Sequence, residues 1–388
     1  LAFKDMALSI LPYFLKTAAK KQKLDSEIVI LTATSGDTGK AALEGFAGVP
    51  GTKIIVFFPE SGVSEVQKLQ MVTQTGENTY VIGIRGNFDD AQTGVKEMFS
   101  DKKLQMDMSA ANFVFSSANS INIGRLVPQI VYYFYAYLQL CRMGDIKAGE
   151  EINFTVPTGN FGNILAGYHA KKMGLPVRHL ICASNENKVL YDFLNTGVYD
   201  KKRKFITTMS PSMDILVSSN LERLLFYLYG EDSSMVGELM AQLSGKGAYM
   251  INDNVKDKLN DFYGYYASEA DTAEAIRKMY EDCGYVIDTH TAVALSAYGK
   301  HRKRKCDENI KTVIVSTASP YKFTSDVMKS IDPKYSGQNS FQLIKEMSRL
   351  TGAEIPKGIR DLDSRPVIHN TVCNKDEMKK QAEKILGL

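Results

Sequence analysis

Cysteine and histidine are both scarce, five of each in 388 residues. The cysteines (Cys141, Cys182, Cys283, Cys306, Cys373) are widely spaced and odd in number, and no two form a Cys-x-x-Cys pair. That pattern supports neither a disulfide framework nor a zinc cluster. Buried or incidental thiols in a reducing compartment, the cytoplasm, are expected, and no metal site. An excess of one charge is missing as well. Lys and Arg number 47 against 44 Asp and Glu, a net charge of +3, which gives no footprint of a nucleic-acid partner. The basic runs 201–204 and 300–305 are expected to be solvated surface. Long apolar runs are absent: the most apolar charge-free stretch, 126–141, is shorter than a membrane span and contains Gln129 and Gln139. No membrane partner is expected. The opening Leu1-Ala2-Phe3-Lys4-Asp5 is no signal peptide and has no initiator Met, so the numbering is expected to start inside a longer protein or to lack the N-terminus.

What remains is an ordinary globular balance, 44% hydrophobic and 23% charged. It excludes a disordered or fibrous chain and a small disulfide-dependent scaffold. The length suits two or three domains. The chain then repeats one rhythm of strand, glycine-bearing turn and helix. Strands are expected at 27–33, 53–58, 80–84 and 113–115, with helices at 63–75, 88–99 and 121–140. A second run has strands at 152–156, 178–183 and 312–316, helical patterns dominating 220–304, and a last helix at 376–386. Strands alternating with helices predict an α/β fold of two open twisted parallel sheets with helices on both faces. The expected organisation is a smaller α/β domain at 25–144 and a large cofactor-binding domain at 145–388. The helix of residues 1–24 would belong to the large domain, and the active site would lie in the cleft between the two.

Four places carry possible chemistry. Lys4 heads a helix whose face holds Leu8, Leu11, Phe14 and Leu15. A lysine among bulky apolar residues can be desolvated into a nucleophile or base, or can simply lay its stem along a surface. Ser35-Gly36-Asp37-Thr38-Gly39 lies between a buried strand and a helix, where N–H groups, two glycines and the Ser35 and Thr38 hydroxyls suit a carboxylate or phosphate; the alternative is an N-cap by Asp37 or Ser35. Gly159-Asn160-Phe161-Gly162-Asn163 repeats that setting in the second half. It has neither the P-loop lysine nor the three-glycine dinucleotide pattern, so it suits a single phosphate monoester or is an ordinary turn. Ser316-Thr317 ends a strand, as a hydroxyl facing the same cleft or as a helix cap. An amine, a carboxylate cradle, a phosphate cup and a neutral hydroxyl together suit pyridoxal phosphate (PLP) with an amino-acid substrate.

The residues Leu1-Ala2-Phe3-Lys4-Asp5, Thr34-Ser35-Gly36-Asp37-Thr38-Gly39, Ser117-Ala118-Asn119-Ser120-Ile121-Asn122, Pro157 to Asn163 with Ile164-Leu165-Ala166-Gly167, and Ser316-Thr317-Ala318 closely resemble threonine synthase, a fold-type II PLP enzyme family. Met213-Asp214-Ile215 and Ser219-Asn220-Leu221-Glu222-Arg223-Leu224 also look like that family. Two departures stand out. The family carries a segment before the lysine motif, usually ending His-Gly-Pro-Thr, that is absent from this sequence. Ser319 also stands where the family usually has His.

The resemblance implies that Lys4 carries the cofactor as a Schiff base. It implies that Gly159, Asn160, Phe161, Gly162 and Asn163 bind its phosphate and that Thr317 meets its pyridine nitrogen. The reaction would convert O-phospho-L-homoserine and water to L-threonine and phosphate, with Lys4 as the base at Cα. Ser35, Gly36, Asp37, Thr38 and Gly39 would take the substrate carboxylate. Asn119, Ser120, Asn122 and Arg125 are candidates for the leaving phosphate, a guanidinium suiting phosphate geometry; the alternative for Arg125 is a surface ion pair. His290 is expected to be a satisfied polar residue without a role. Two other readings stay open, a lyase that stops at 2-oxobutyrate and a non-catalytic ligand-binding homologue. Oligomeric state is not legible.

Overall fold

The computed structural model describes residues 2–305 and 309–388. Leu1 of the opening motif and Cys306 lie outside the described residues, as do the side chains of Arg304 and Lys305 in the basic run. In chain order the strands are β1 (Glu27–Ala33), β2 (Thr52–Pro59), β3 (Thr79–Arg85), β4 (Phe113–Ser116), β5 (Ile152–Pro157), β6 (Val177–Ser184), β7 (Val198–Asp200), β8 (Ala248–Met250), β9 (Phe262–Tyr266), β10 (Thr312–Ile314) and β11 (Thr371–Asn374). Three helices recur below: α1 (Phe3–Lys21), α2 (Asp37–Phe46) and α3 (Glu65–Val72).

Leu1–Arg125 with Gln338–Leu388 form one compact unit. Its sheet has the order β11-β3-β2-β1-β4 and is parallel throughout. Side chains alternate across a strand, and here the alternation feeds two cores. Val29, Leu31, Ile55, Phe57, Ile82 and Ile84 meet Val95 and Met98 of the helix Phe88–Ser100 and Met378 and Ala382 near the C-terminus. Ile28, Ile30, Ile54, Val56 and Phe58 meet Leu8 and Leu11 of α1, Ala42 and Phe46 of α2, and Met71 of α3. Both faces of the sheet are therefore covered, which is why its strands read as nearly continuous apolar runs.

Leu126–Gly337 form the other unit. Its main sheet, β10-β5-β6-β9, is also parallel, and β7 and β8 make a small antiparallel pair. Leu180 and Cys182 of β6 enter one core with Phe154, Ile164 and Leu165. Ile181 and Ala183 enter another with Val293 and Ala297 of the helix Thr289–Lys305. Among the described residues no helix is long and apolar enough to cross a membrane, and no His/Cys/Asp/Glu group could hold a metal. Burial pushes the Cys182 thiol up to about 12 and Cys373 to about 11, so neither is a thiolate near neutral pH.

The fold class is as expected, while several details differ. Residues 1–24 group with the first sheet, because Leu8 and Leu11 complete its core. The last segment also joins the first unit, because Val372 and Cys373 of β11 pair with Gly83 and Ile84 of β3. Along the chain the first unit accordingly ends at Arg125, where the expected boundary was residue 144, and resumes at Gln338. The helix expected at 121–140 is broken into Ile123–Leu126, a tight turn Val127–Gln129 and Ile130–Met143, because Pro128 has no N–H to continue a ladder. Helices dominate 220–304 as expected, and the short strands β8 and β9 lie among them.

Candidate active site

Each parallel sheet has one place where the strand order reverses, and the crevice outside the carboxyl ends there is where such sheets bind ligands. In the first unit the chain runs β1, β2, β3 to one side and then places β4 on the other side of β1. The reversal lies between β1 and β4. The loops leaving those strands are Ser35–Gly39 and residues 117–122, and Asn119 Nδ2 donates across to the Ala33 carbonyl at 2.9 Å. In the second unit the chain runs β5, β6, β9 and then adds β10 beside β5. The loops leaving that reversal carry Gly159–Asn163 and Ser316-Thr317. All the expected loops thus sit at the two reversal points.

In the first unit Lys4 occupies the first turn of α1 and is only 9% exposed. Its Nζ lies 3.6 Å from Asp37 Oδ2, while the neighbouring Asp5 pairs with Lys40 at 3.1 Å. Asp37 Oδ1 accepts from Gln67 Nε2 at 3.0 Å. The Asp37 side chain therefore faces the Lys4 amine and the Gln67 donor, and it is not a group to bind a carboxylate. The Gly36 and Gly39 N–H groups both donate to Thr34 Oγ1, at 2.9 and 2.8 Å, so they shape the cradle and do not line it with donors. Gly39 is required sterically, since a Cβ would lie 2.4 Å from Thr34 Cγ2 and 2.9 Å from Val56 Cγ1. The half-buried Ser35 and Thr38 keep hydroxyls with no hydrogen bond among the described residues.

The neighbouring loop is internally braced. Asn122 Nδ2 donates to the Ser117 carbonyl at 2.8 Å and its Oδ1 accepts from the Gly124 N–H at 2.9 Å. Arg125 is buried and donates through Nη1 to the Ala118 carbonyl at 3.0 Å, so it is no surface ion pair. Asn119 and Ser120 are half-buried at the loop's crest.

In the second unit Phe161 holds a left-handed conformation (φ 61°) immediately before the helix Gly162–Lys172. Its ring is buried and packs against Phe262. Ser218 Oγ donates to the Gly159 carbonyl at 2.8 Å, and Asn220 Nδ2 to the Asn160 carbonyl at 2.9 Å. A Cβ on Gly159 would come within 3.0 Å of the Ser212 carbonyl. Gly162 has ordinary room, 3.5 Å to Asn220, so steric need for glycine lies at 159. The Ser212 N–H donates to His290 Nε2 at 3.2 Å, while His290 Nδ1 faces Asp288 at 3.2 Å. His290 is therefore a satisfied brace for the turn over Gly159. Beside that turn, burial pushes the Asp214 carboxyl up, and donors from Thr208 and Asn185 act against that.

The β5 loop fits a bound phosphate. The first N–H groups of a helix have no intrahelical acceptor. Asn163 stands there 6% exposed, and its Nδ2 has no hydrogen-bond partner among the described residues. A buried donor left so costs about 1–3 kcal/mol, which an anionic oxygen would recover. The orientation of Asn163 is set by Tyr133, whose hydroxyl meets Asn163 O and Oδ1 at 2.8 and 2.9 Å. Thr317, buried after β10, has a hydroxyl with no hydrogen bond among the described residues. Gln67 and Tyr133 were not among the residues expected from sequence, and Thr34 was read as part of its loop motif without a role of its own. Gln67 leaves a local trace as the fourth residue of the helix-start pattern Ser64-Glu65-Val66-Gln67, whereas Tyr133 leaves none.

Residues 1–318 match the family described as pyridoxal-phosphate dependent enzyme, and residues 291–380 match threonine synthase, C-terminal. The chain is 37% identical over 390 residues to threonine synthase-like 1 of Homo sapiens, covering 98% of this chain and 50% of that protein. It is 40% identical over 333 residues to threonine synthase of Pseudomonas aeruginosa, covering 85% and 67%. The chain thus spans about half the length of the threonine synthase-like 1 proteins it matches. Among solved structures, PLP-bound threonine synthase from Brucella melitensis superposes with a TM-score of 0.83 at 36% identity, covering 100% of this chain and 75% of that one. With its reversal-point loops and these matches, the chain belongs to the threonine synthase family of fold-type II PLP-dependent enzymes.

Proposed function

We propose that this chain carries the catalytic part of a threonine synthase, converting O-phospho-L-homoserine and water to L-threonine and phosphate. The observation that carries the reading is the threonine synthase C-terminal match over residues 291–380, which reaches beyond the general PLP-enzyme match. When bound, PLP supplies the electron sink for carbanion chemistry at the amino acid. The chain's residues supply the rest. Lys4 provides the amine that holds the cofactor and the base that takes the Cα proton. The Asp37 carboxyl stands 3.6 Å from that amine. Ser35, Thr38 and the start of α2 receive the substrate carboxylate. Gly159, Asn160, Phe161, Gly162 and Asn163 hold the cofactor phosphate, and Thr317 offers the ring nitrogen a neutral hydroxyl. The leaving phosphate is assigned to Asn119 and Ser120, on a loop that Asn122 and Arg125 brace. A cytoplasmic location belongs to the same reading, supported by the spaced free thiols.

Because the matched relatives include proteins named threonine synthase-like 1, a second reading stands beside it: elimination of phosphate without water addition at Cβ, releasing 2-oxobutyrate and ammonia. Incubation with O-phospho-L-homoserine, scoring L-threonine, 2-oxobutyrate, ammonia and phosphate together, separates them. Threonine in step with phosphate is expected. Keto acid in step with phosphate selects the lyase, and no turnover by PLP-loaded protein removes both.

The phosphate assignment has its own test. Tyr133→Phe removes both contacts to Asn163 and keeps the ring against Phe154. PLP affinity, read by absorbance titration, should weaken about five- to tenfold, the worth of roughly one hydrogen bond. Unchanged affinity would detach Asn163 from the cofactor.

A further inference from the structure

Lys4 is the reactive amine of the proposed function, and its surroundings lead to a residue outside the expected site. Gln67, at the start of α3, is fully buried. Both ends of its amide are committed: Oε1 accepts from the Ser64 N–H at 3.3 Å and Nε2 donates to Asp37 Oδ1 at 3.0 Å. The same amide abuts Gly36, where a Cβ would lie 2.5 Å from Gln67 Cδ. A capping box alone needs only the Oε1 contact and no buried Nε2 donor. Asp37 carries the connection onward, with Oδ2 at 3.6 Å from Lys4 Nζ.

We propose that Gln67 is a positioning residue for the Lys4 amine: by donating to Asp37 it holds that carboxylate ionised and aimed at Lys4, and so sets the pH at which the amine loses its proton and becomes reactive. The proposal rests on the reading of Lys4 as the cofactor lysine. A hydrogen bond to a carboxylate favours its charged form, and a carboxylate beside an ammonium favours the ammonium. Nearby groups include the Phe3 ring, 5.6 Å from Lys4 Nζ, and Asp5, which pairs with Lys40 at 3.1 Å.

The test uses the full chain freed of PLP. Lys4 is labelled by formaldehyde and borohydride across a pH series and quantified by peptide mass spectrometry. Gln67→Met should move Lys4 labelling to lower pH, with up to about tenfold more label at a fixed pH below the midpoint, since one pH unit is tenfold in the free amine. Asp37→Asn should move it the same way. Adding Gln67→Met to Asp37→Asn should add no further shift, because the effect passes through the charge at 37. Gln67→Glu keeps the shape, guards against a misfolded Met variant, and should move labelling to higher pH. A lowered melting temperature with an unmoved labelling profile, equal shifts with and without Asp37, or shifts of the same sign in Met and Glu variants would each overturn the proposal. Borohydride reduction of PLP-loaded wild-type protein, followed by peptide mapping, checks the underlying reading separately. PLP found on another lysine sinks that reading, whereas PLP on Lys4 with an indifferent Gln67 sinks only this inference.

Discussion

Lys4→Ala is expected to remove the visible absorbance of lysine-bound PLP and to lower threonine formation by about 10³-fold or more, the scale of losing a positioned acid–base group together with a covalent anchor. The side chain is buried in the first turn of α1, with Asp37 3.6 Å away. Lysines of that kind are few here, because taking an ammonium out of water needs nearby compensation. Lys4→Arg should fail equally, although it keeps the positive charge, because a guanidinium does not exchange as an amine does. The check is an absorbance spectrum and a product assay on each variant. Retained absorbance and turnover in Lys4→Ala would move the cofactor to another lysine, with the buried Lys322 and Lys40 the first to examine.

The second large effect is expected at Gly36. Its φ of 126° with ψ of −69° is a conformation that side chains rarely adopt, and a Cβ would meet the Gln67 amide at 2.5 Å. Gly36→Ala should therefore cost about 2–4 kcal/mol, combining backbone strain with displacement of a buried polar group. Gly48→Ala is the matched control. Its φ is also positive, 68°, yet a Cβ there would meet nothing within 4 Å, so about 1 kcal/mol is expected. Urea midpoints of the two variants give the comparison. Equal losses would mean that the contact with Gln67 adds nothing to the backbone cost.

The first sheet was legible because its central strands are buried on both faces, so Ile28-Val29-Ile30-Leu31 and Ile54-Ile55-Val56-Phe57 appear as unbroken apolar runs. Two of the strand-to-helix loops, Ser35–Gly39 and Gly159–Asn163, were legible because their glycines mark the turn. Short or remote elements were not. β9, Phe262-Tyr263-Gly264-Tyr265-Tyr266, is brief and lies among helices. β11 takes its meaning only from β3, its partner far back in the chain. Roles within loops were hidden for a different reason. Thr34 takes the N–H groups of Gly36 and Gly39, and Asn122 and Arg125 turn to their own loop's backbone. A residue's type names the bonds it can make, and packing decides which of them are already used.

The placement of β11 has a consequence for how the protein is made. The last strand completes the first sheet by pairing with β3, while residues 126–337 build their own sheets from an uninterrupted stretch. During synthesis the later unit therefore has all its parts before the earlier one does. Until residues 371–374 leave the ribosome, β3 presents an unpaired edge to whatever the cell offers it.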